Sequence, residues 1–146
     1  FPSAAIPEVP AILAMTDATI RPYAGVLDLL ERVGRRARLS IVSNQTEYWA
    51  RRIVGQLGLA RLVPPERRIW SFAVGRSKSS PGLEMFHAWR AAVPDAEPDR
   101  MLFLDDRAHN VTRALDLGCR GIQVPSVPEP MIAPFLETVF REQGLL

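Results

Sequence analysis

Short apolar runs alternate with amphipathic stretches along this chain, and the alternation predicts its elements. Tyr23–Val33 reads as a helix, with Val26, Leu27, Leu29, Leu30 and Val33 on the apolar side and Gly34 ending it. Leu39–Ser43 is a strand, and Asn44 follows in a turn. Gln45–Leu57 is a helix with Trp49, Ile53, Val54 and Leu57 apolar, closed by Gly58. Arg68–Ala73 is a further strand, and Gly75–Ser80 a polar loop. Pro81 suits the first turn of a helix that runs toward Val93. Met101–Leu104 is an apolar run of buried-strand type, with Asp105 and Asp106 at its end. From Arg107 on, Val111, Ala114, Leu115 and Leu117 fall at helical spacing, and Gly118 closes the helix. Gly121–Val124 resumes an extended run, and Met131–Glu142 is a last helix.

The front of the chain is less regular. Phe1–Pro10 is proline-rich and reads as irregular. Ala11–Thr16 is apolar but too short to type by period. Asp17–Pro22 is polar and ends in Arg-Pro, which disfavours helix at Arg21. Helix and strand alternate from there to the end with short loops. That predicts an α/β fold with a doubly wound parallel sheet, in one domain spanning residues 1–146. In such sheets ligands bind beyond the carboxyl ends of the strands. Ser43 and Asn44, Lys78, and Asp105 and Asp106 all follow strands, so parallel strands would gather them on one sheet edge.

Composition narrows the function classes. Hydrophobic residues make up 47% and charged residues 23%, as in ordinary globular proteins. No apolar run approaches a membrane span, and no signal-peptide pattern is visible, so a cytoplasmic location is expected. Cys119 is the lone cysteine, which leaves no internal disulfide. The net charge is +2, with small clusters at Arg35–Arg36, Arg51–Arg52 and Arg67–Arg68. They fall on polar faces without interleaved aromatics, which argues against a nucleic-acid partner. Lysine and arginine together number 18, yet Lys78 is the single lysine. Codon bias alone would leave such a residue anywhere. A compact ammonium, however, bridges anionic groups at close range in a way a planar guanidinium does not.

Two adjacent carboxylates at a strand end read either as ligands of a hard divalent cation, most simply magnesium, or as caps of the following helix. A hydroxyl at Ser43, the Asn44 turn, the Lys78 ammonium and a metal at the acidic turn are what a phosphoryl group needs around it.

These segments resemble the haloacid dehalogenase superfamily, most of whose members are magnesium-dependent phosphatases. Ile41–Asn44 resembles the second motif, whose hydroxyl residue binds the transferring phosphoryl group. Gly75–Pro81, with Lys78, resembles the third, and Leu104–Asp106 followed by Asn110 resembles the metal-binding fourth. Arg21–Val26 with Leu29–Leu30 is similar to the usual approach to the second motif, so the match runs from about Arg21 to Val124. The resemblance implies a three-layer sandwich with little or no cap domain. It also implies a magnesium cofactor on Asp106, helped by Asp105 and Asn110. Ser43, Asn44 and Lys78 would bind phosphate, and the substrate would be a small phosphorylated molecule. A protein partner or a second copy of the chain stays open.

The family's first motif, an apolar strand ending in Asp-x-Asp, has no intact counterpart before Ser43. Ala11–Thr19 can be a degraded copy, with Met15 at the nucleophile position, Asp17 as the acid/base and Thr19 at the usual threonine. The chain would then be a pseudo-phosphatase, because a thioether cannot attack phosphorus. Alternatively, Pro7–Ala18 is the last helix of a cap, and the nucleophile strand lies outside the chain. Spacing favours the second account, since only Ile20–Ala24 separate Thr19 from Gly25. Topology favours the first, since the family's first strand is the central one.

Overall fold

A computed structural model describes residues 9–146. Residues 1–8 of the expected irregular start, and the Met15 side chain, lie outside the described residues. The fold is mixed α/β, with seven α-helices and four short strands among the described residues. In chain order these are α1 (Val9–Thr19), α2 (Val26–Gly34), β1 (Ile41–Ser43), α3 (Glu47–Gln56), β2 (Arg68–Trp70), α4 (Ser71–Val74), α5 (Glu84–Ala91), β3 (Leu102–Asp105), α6 (Ala108–Asp116), β4 (Arg120–Gln123) and α7 (Glu129–Glu142).

The strands form two parallel pairs rather than one continuous sheet. In the first, Ile41, Val42 and Ser43 of β1 stand opposite Arg68, Ile69 and Trp70 of β2. In the second, β3 runs beside β4 from Leu102–Arg120 to Asp105–Gln123. Each pair is joined through a helix, as parallel strands require. Phe103 packs in one apolar cluster with Ile69, Met85, Phe86, Trp89, Met101 and Ala114. Its neighbours Leu102 and Leu104 pack on the other side, against Leu29 and Val33 of α2 and Leu136, Val139 and Phe140 of α7. That alternation along β3 puts helices on both of its faces, which is why its residues are nearly all apolar.

Three sequence expectations are decided or change. Ala11–Thr16 is helical, as in the account that reads Pro7–Ala18 as a helix, and not a strand, so the alignment that placed Met15 at a strand-borne nucleophile position is lost. Alanine, leucine and methionine dominate α1 and favour helix, and Pro10 falls in the first turn, where no amide partner is needed. The Arg68–Ala73 strand ends at Trp70, and α4 begins at Ser71. The Ser71 hydroxyl accepts a bond from the Gln45 amide (3.0 Å) and donates to the Gln45 carbonyl (3.1 Å), which turns the chain away from the ladder. The helix expected to start at Pro81 starts at Glu84, after Leu83 in the left-handed region at φ 59°. A non-glycine residue is held there only by its surroundings, and Leu83 packs against the Phe86–Phe103 cluster.

Candidate functional site

Lys78 sits in the loop between α4 and α5, beyond the carboxyl end of β2. Gly75 at φ 72° ends α4 and releases the chain into that loop. The Ser80 amide donates to the Ser77 carbonyl (3.1 Å), and the Ser77 amide to the Ser80 hydroxyl (3.1 Å), so the lysine rides on a closed turn. On one side the Lys78 amide donates to Asn44 Oδ1 (2.8 Å), just past β1. On the other, the ammonium pairs with Asp105 Oδ2 at the end of β3. One lysine therefore ties the carboxyl ends of the two strand pairs together, and the sheet-edge convergence expected from sequence is present for these residues.

The pair is buried: the Lys78 side chain is 12% exposed and that of Asp105 only 5%. Beneath it lies the Phe103 ring, whose centroid is 6.0 Å from Nζ and which contacts Phe86 and Trp89 edge-on or tilted. Burial alone pushes the Asp105 carboxyl up. Hydrogen bonds from Lys78, from Asn110 Nδ2 (2.8 Å) and from the Arg107 amide (2.9 Å) outweigh it and hold the carboxyl below the ordinary carboxylate range.

The remaining candidates fall into two groups. Ser43 ends β1, next to Asn44, and no hydrogen bond reaches its hydroxyl among the described residues. Asp106 is exposed beside Asp105, with its backbone carbonyl accepting from Gln123 Nε2 (3.0 Å). Asn110 is 1% exposed, and its Oδ1 has no partner. A buried carbonyl oxygen left unpaired is costly and calls for a donor or a cation. Among the described residues no group of three or more His, Cys, Asp or Glu side chains is placed to enclose a metal. Magnesium takes oxygen ligands, commonly one or two carboxylates together with its own waters, and Asp106, Asp105 and Asn110 are the oxygen-bearing side chains at this turn.

Asp17 stands apart. It lies on α1, its carboxylate pairs with Arg52 of α3, and the strand on which its acid/base role rested is absent. His87 and His109 are exposed. Cys119 is buried, and that burial pushes its thiol up despite the nearby Arg90, so it is no thiolate nucleophile. Two shallow grooves follow α3, one past Arg51, Arg52 and Gly55, the other past Val54, Trp70 and Phe72; neither is lined by Ser43, Lys78 or Asp105.

Sequence reasoning passed over Arg113. Its guanidinium, from α6, donates to the carbonyls of Ser80 (2.6 Å) and Ser79 (2.8 Å) in the Lys78 loop. The available signal was its spacing of three from Asn110, which puts both on one helix face.

No protein-family model matches the chain, and no curated protein matches it. Among the described residues no helix is long and apolar enough to cross a membrane.

Proposed function

We propose that this chain is the core of a haloacid-dehalogenase-like phosphatase, binding the phosphoryl group of a small phosphomonoester between Ser43, Asn44 and Lys78. The observation that carries the reading is the Lys78–Asp105 pair: the ammonium sits on Asp105 at the carboxyl end of β3, while the Lys78 backbone amide is tied to Asn44 just past β1. An ammonium has three donors, and Asp105 engages one. The other two can face a phosphoryl oxygen beside the Ser43 hydroxyl. Magnesium, held by Asp106, Asp105 and Asn110, would supply charge neutralisation of the phosphoryl oxygens. The unpartnered Asn110 oxygen supports that assignment.

The doubly wound sandwich belongs to the same proposal. β1 and β3 each have one edge without a strand partner among the described residues. A strand between them would merge the two pairs into one sheet and end beside Lys78. In the enzyme reading a carboxylate at the end of such a strand would be the nucleophile of the reaction.

The helical state of α1 removes the Met15 strand alignment on which a pseudo-phosphatase rested, so a second reading stands only on the grouping of Ser43, Asn44 and Lys78. In it the protein is a phosphate-ligand-binding or structural subunit without turnover. Calorimetric titration with inorganic phosphate and magnesium tests what the two readings share. Binding is expected in wild type and lost in Lys78→Ala, while Asp106→Asn weakens the magnesium dependence. Absence of phosphate binding in the folded wild type would overturn the phosphoryl site. Hydrolysis of p-nitrophenyl phosphate by the natural full-length protein then separates the readings, since only the enzyme turns it over.

A further inference from the structure

Residues three apart share a helix face, and on α6 that relation joins Asn110 to Arg113. Asn110 donates to Asp105 (2.8 Å), while Arg113 donates to the carbonyls of Ser80 (2.6 Å) and Ser79 (2.8 Å). One face of one helix thus grips both partners of the buried ion pair: the acid directly, and the lysine through the two residues that follow it. A helix is stiff along its axis, so the two grips keep a fixed separation. The loop closes on itself through Ser77 and Ser80, but its backbone has few ties to the body of the protein. It runs from Gly75 to the left-handed Leu83, and across that span its backbone is joined to other elements by Asn44 at the Lys78 amide and by Arg113 at Ser79 and Ser80, with the Arg76 side chain pairing with Glu84 at 3.5 Å. A lysine stem has four flexible carbons, so the ammonium keeps its place only if the backbone beneath it does. A forked guanidinium that meets two consecutive carbonyls fixes orientation as well as distance.

We propose that Arg113 is a positioning residue for Lys78: α6 acts as a gauge that sets where the lysine loop stands relative to Asp105. The inference concerns the loop and its ammonium and holds whether or not a phosphoryl group binds there.

Because Lys78 is the single lysine of the chain, an amine-reactive acylating reagent with peptide mapping reads its ammonium directly. In the folded wild type the reaction at Lys78 is slow, since the side chain is buried on Asp105. Arg113→Met is expected to react on the order of tenfold faster at the same pH, as local opening of the loop becomes easier. Arg113→Gln keeps one amide donor and should fall between the two, which covers the case in which the methionine variant does not fold. Gly118→Ala is the structural control. It strains a residue at φ 77° whose new Cβ would lie 3.6 Å from Pro98, away from the loop. Compared at equal distance below each unfolding midpoint, it should leave the Lys78 rate unchanged. The proposal is overturned if Arg113→Gln reacts at the wild-type rate, or if Gly118→Ala accelerates the reaction as much as the Arg113 variants.

Discussion

Two acid–base pairs link segments distant in sequence, and they differ in nearly every respect that matters energetically. Lys78–Asp105 is 12% and 5% exposed, whereas Arg52–Asp17 is 37% and 16% exposed. Asp105 has three donors and an aromatic floor. Asp17 has the Arg52 guanidinium, which also lies 5.4 Å from the Tyr48 ring. The first joins two strand pairs at their carboxyl ends, and the second tethers one helix to another. A buried pair is costly to assemble and is better evidence of a site than of stability, while a surface pair is a weak clasp. Both acids were site candidates in the sequence, Asp105 as a metal ligand and Asp17 only if Ala11–Thr19 were a degraded first motif. What separates them is the desolvation around each.

The largest test of this contrast removes one buried partner. Lys78→Met leaves a carboxylate enclosed without its cation, and such losses cost about 3–5 kcal/mol. Denaturant unfolding should show that loss. Replacing both partners, in Lys78→Met/Asp105→Leu, should restore most of it, because no buried charge is left unpaired. The double variant should remain unable to bind phosphate. A single variant within 1 kcal/mol of wild type, roughly the surface-pair range, would erase the distinction between the pairs.

The next effect is in the acid arm. The Asp105 carboxyl is held below its ordinary range, so the folded state binds its proton less readily than the unfolded chain. Its contribution is present above the unfolded value, about pH 4, and is lost as pH falls through the lower folded value. In Lys78→Met the largest opposing hydrogen bond is gone and burial pushes the carboxyl up. The acid loss of stability should therefore begin at higher pH in the variant. Thermal unfolding midpoints from pH 6 to about pH 2.5 in metal-free buffer measure this. Superimposable profiles would mean that the ammonium does not govern Asp105.

How much of this was legible beforehand follows from the same physics. Where an apolar period extended over two turns or more, as in Val26–Gly34 or Ala108–Asp116, sequence and structure agree to within a few residues. The lone lysine and the Asp105–Asp106 turn were legible because their chemistry is scarce or costly. Val9–Thr19 was not, since a mostly apolar stretch has no polar face to set a period. Arg68–Ala73 has the β-branched and aromatic residues of a strand, and only a hydrogen bond from Ser71 to Gln45, 26 residues away, turns it. Arg113 was one arginine among many until its two carbonyl partners were known. The parallel pairing of each strand couple was legible, but the break between the pairs was not, because strand order is a long-range property.

The smallest effect belongs to the clasp on α1. Asp17→Asn removes a partly exposed charge whose partner, Arg52, stays in contact with water. Such pairs contribute about 0–1 kcal/mol, since high dielectric weakens the attraction and ordering two side chains opposes it. Global stability should thus change by less than about 1 kcal/mol, and that change should vanish in 1 M salt, where the Debye length is about 3 Å. The consequence should be local instead. The Arg52–Asp17 pair ties α1 to α3, so losing the clasp should accelerate amide exchange along Val9–Thr19 while leaving Leu102–Asp105 unchanged. Asp105→Asn, in contrast, should keep most of its cost in 1 M salt, because a mostly buried pair is screened much less than an exposed one. Slower exchange in α1 would mean that Asp17 does not hold the helix at all. If Asp17→Asn instead matched the cost of Asp105→Asn, the helix would be held through Asp17 as firmly as the strands are held through Lys78. The carboxylate singled out in the sequence would then have a structural weight that its exposure does not suggest.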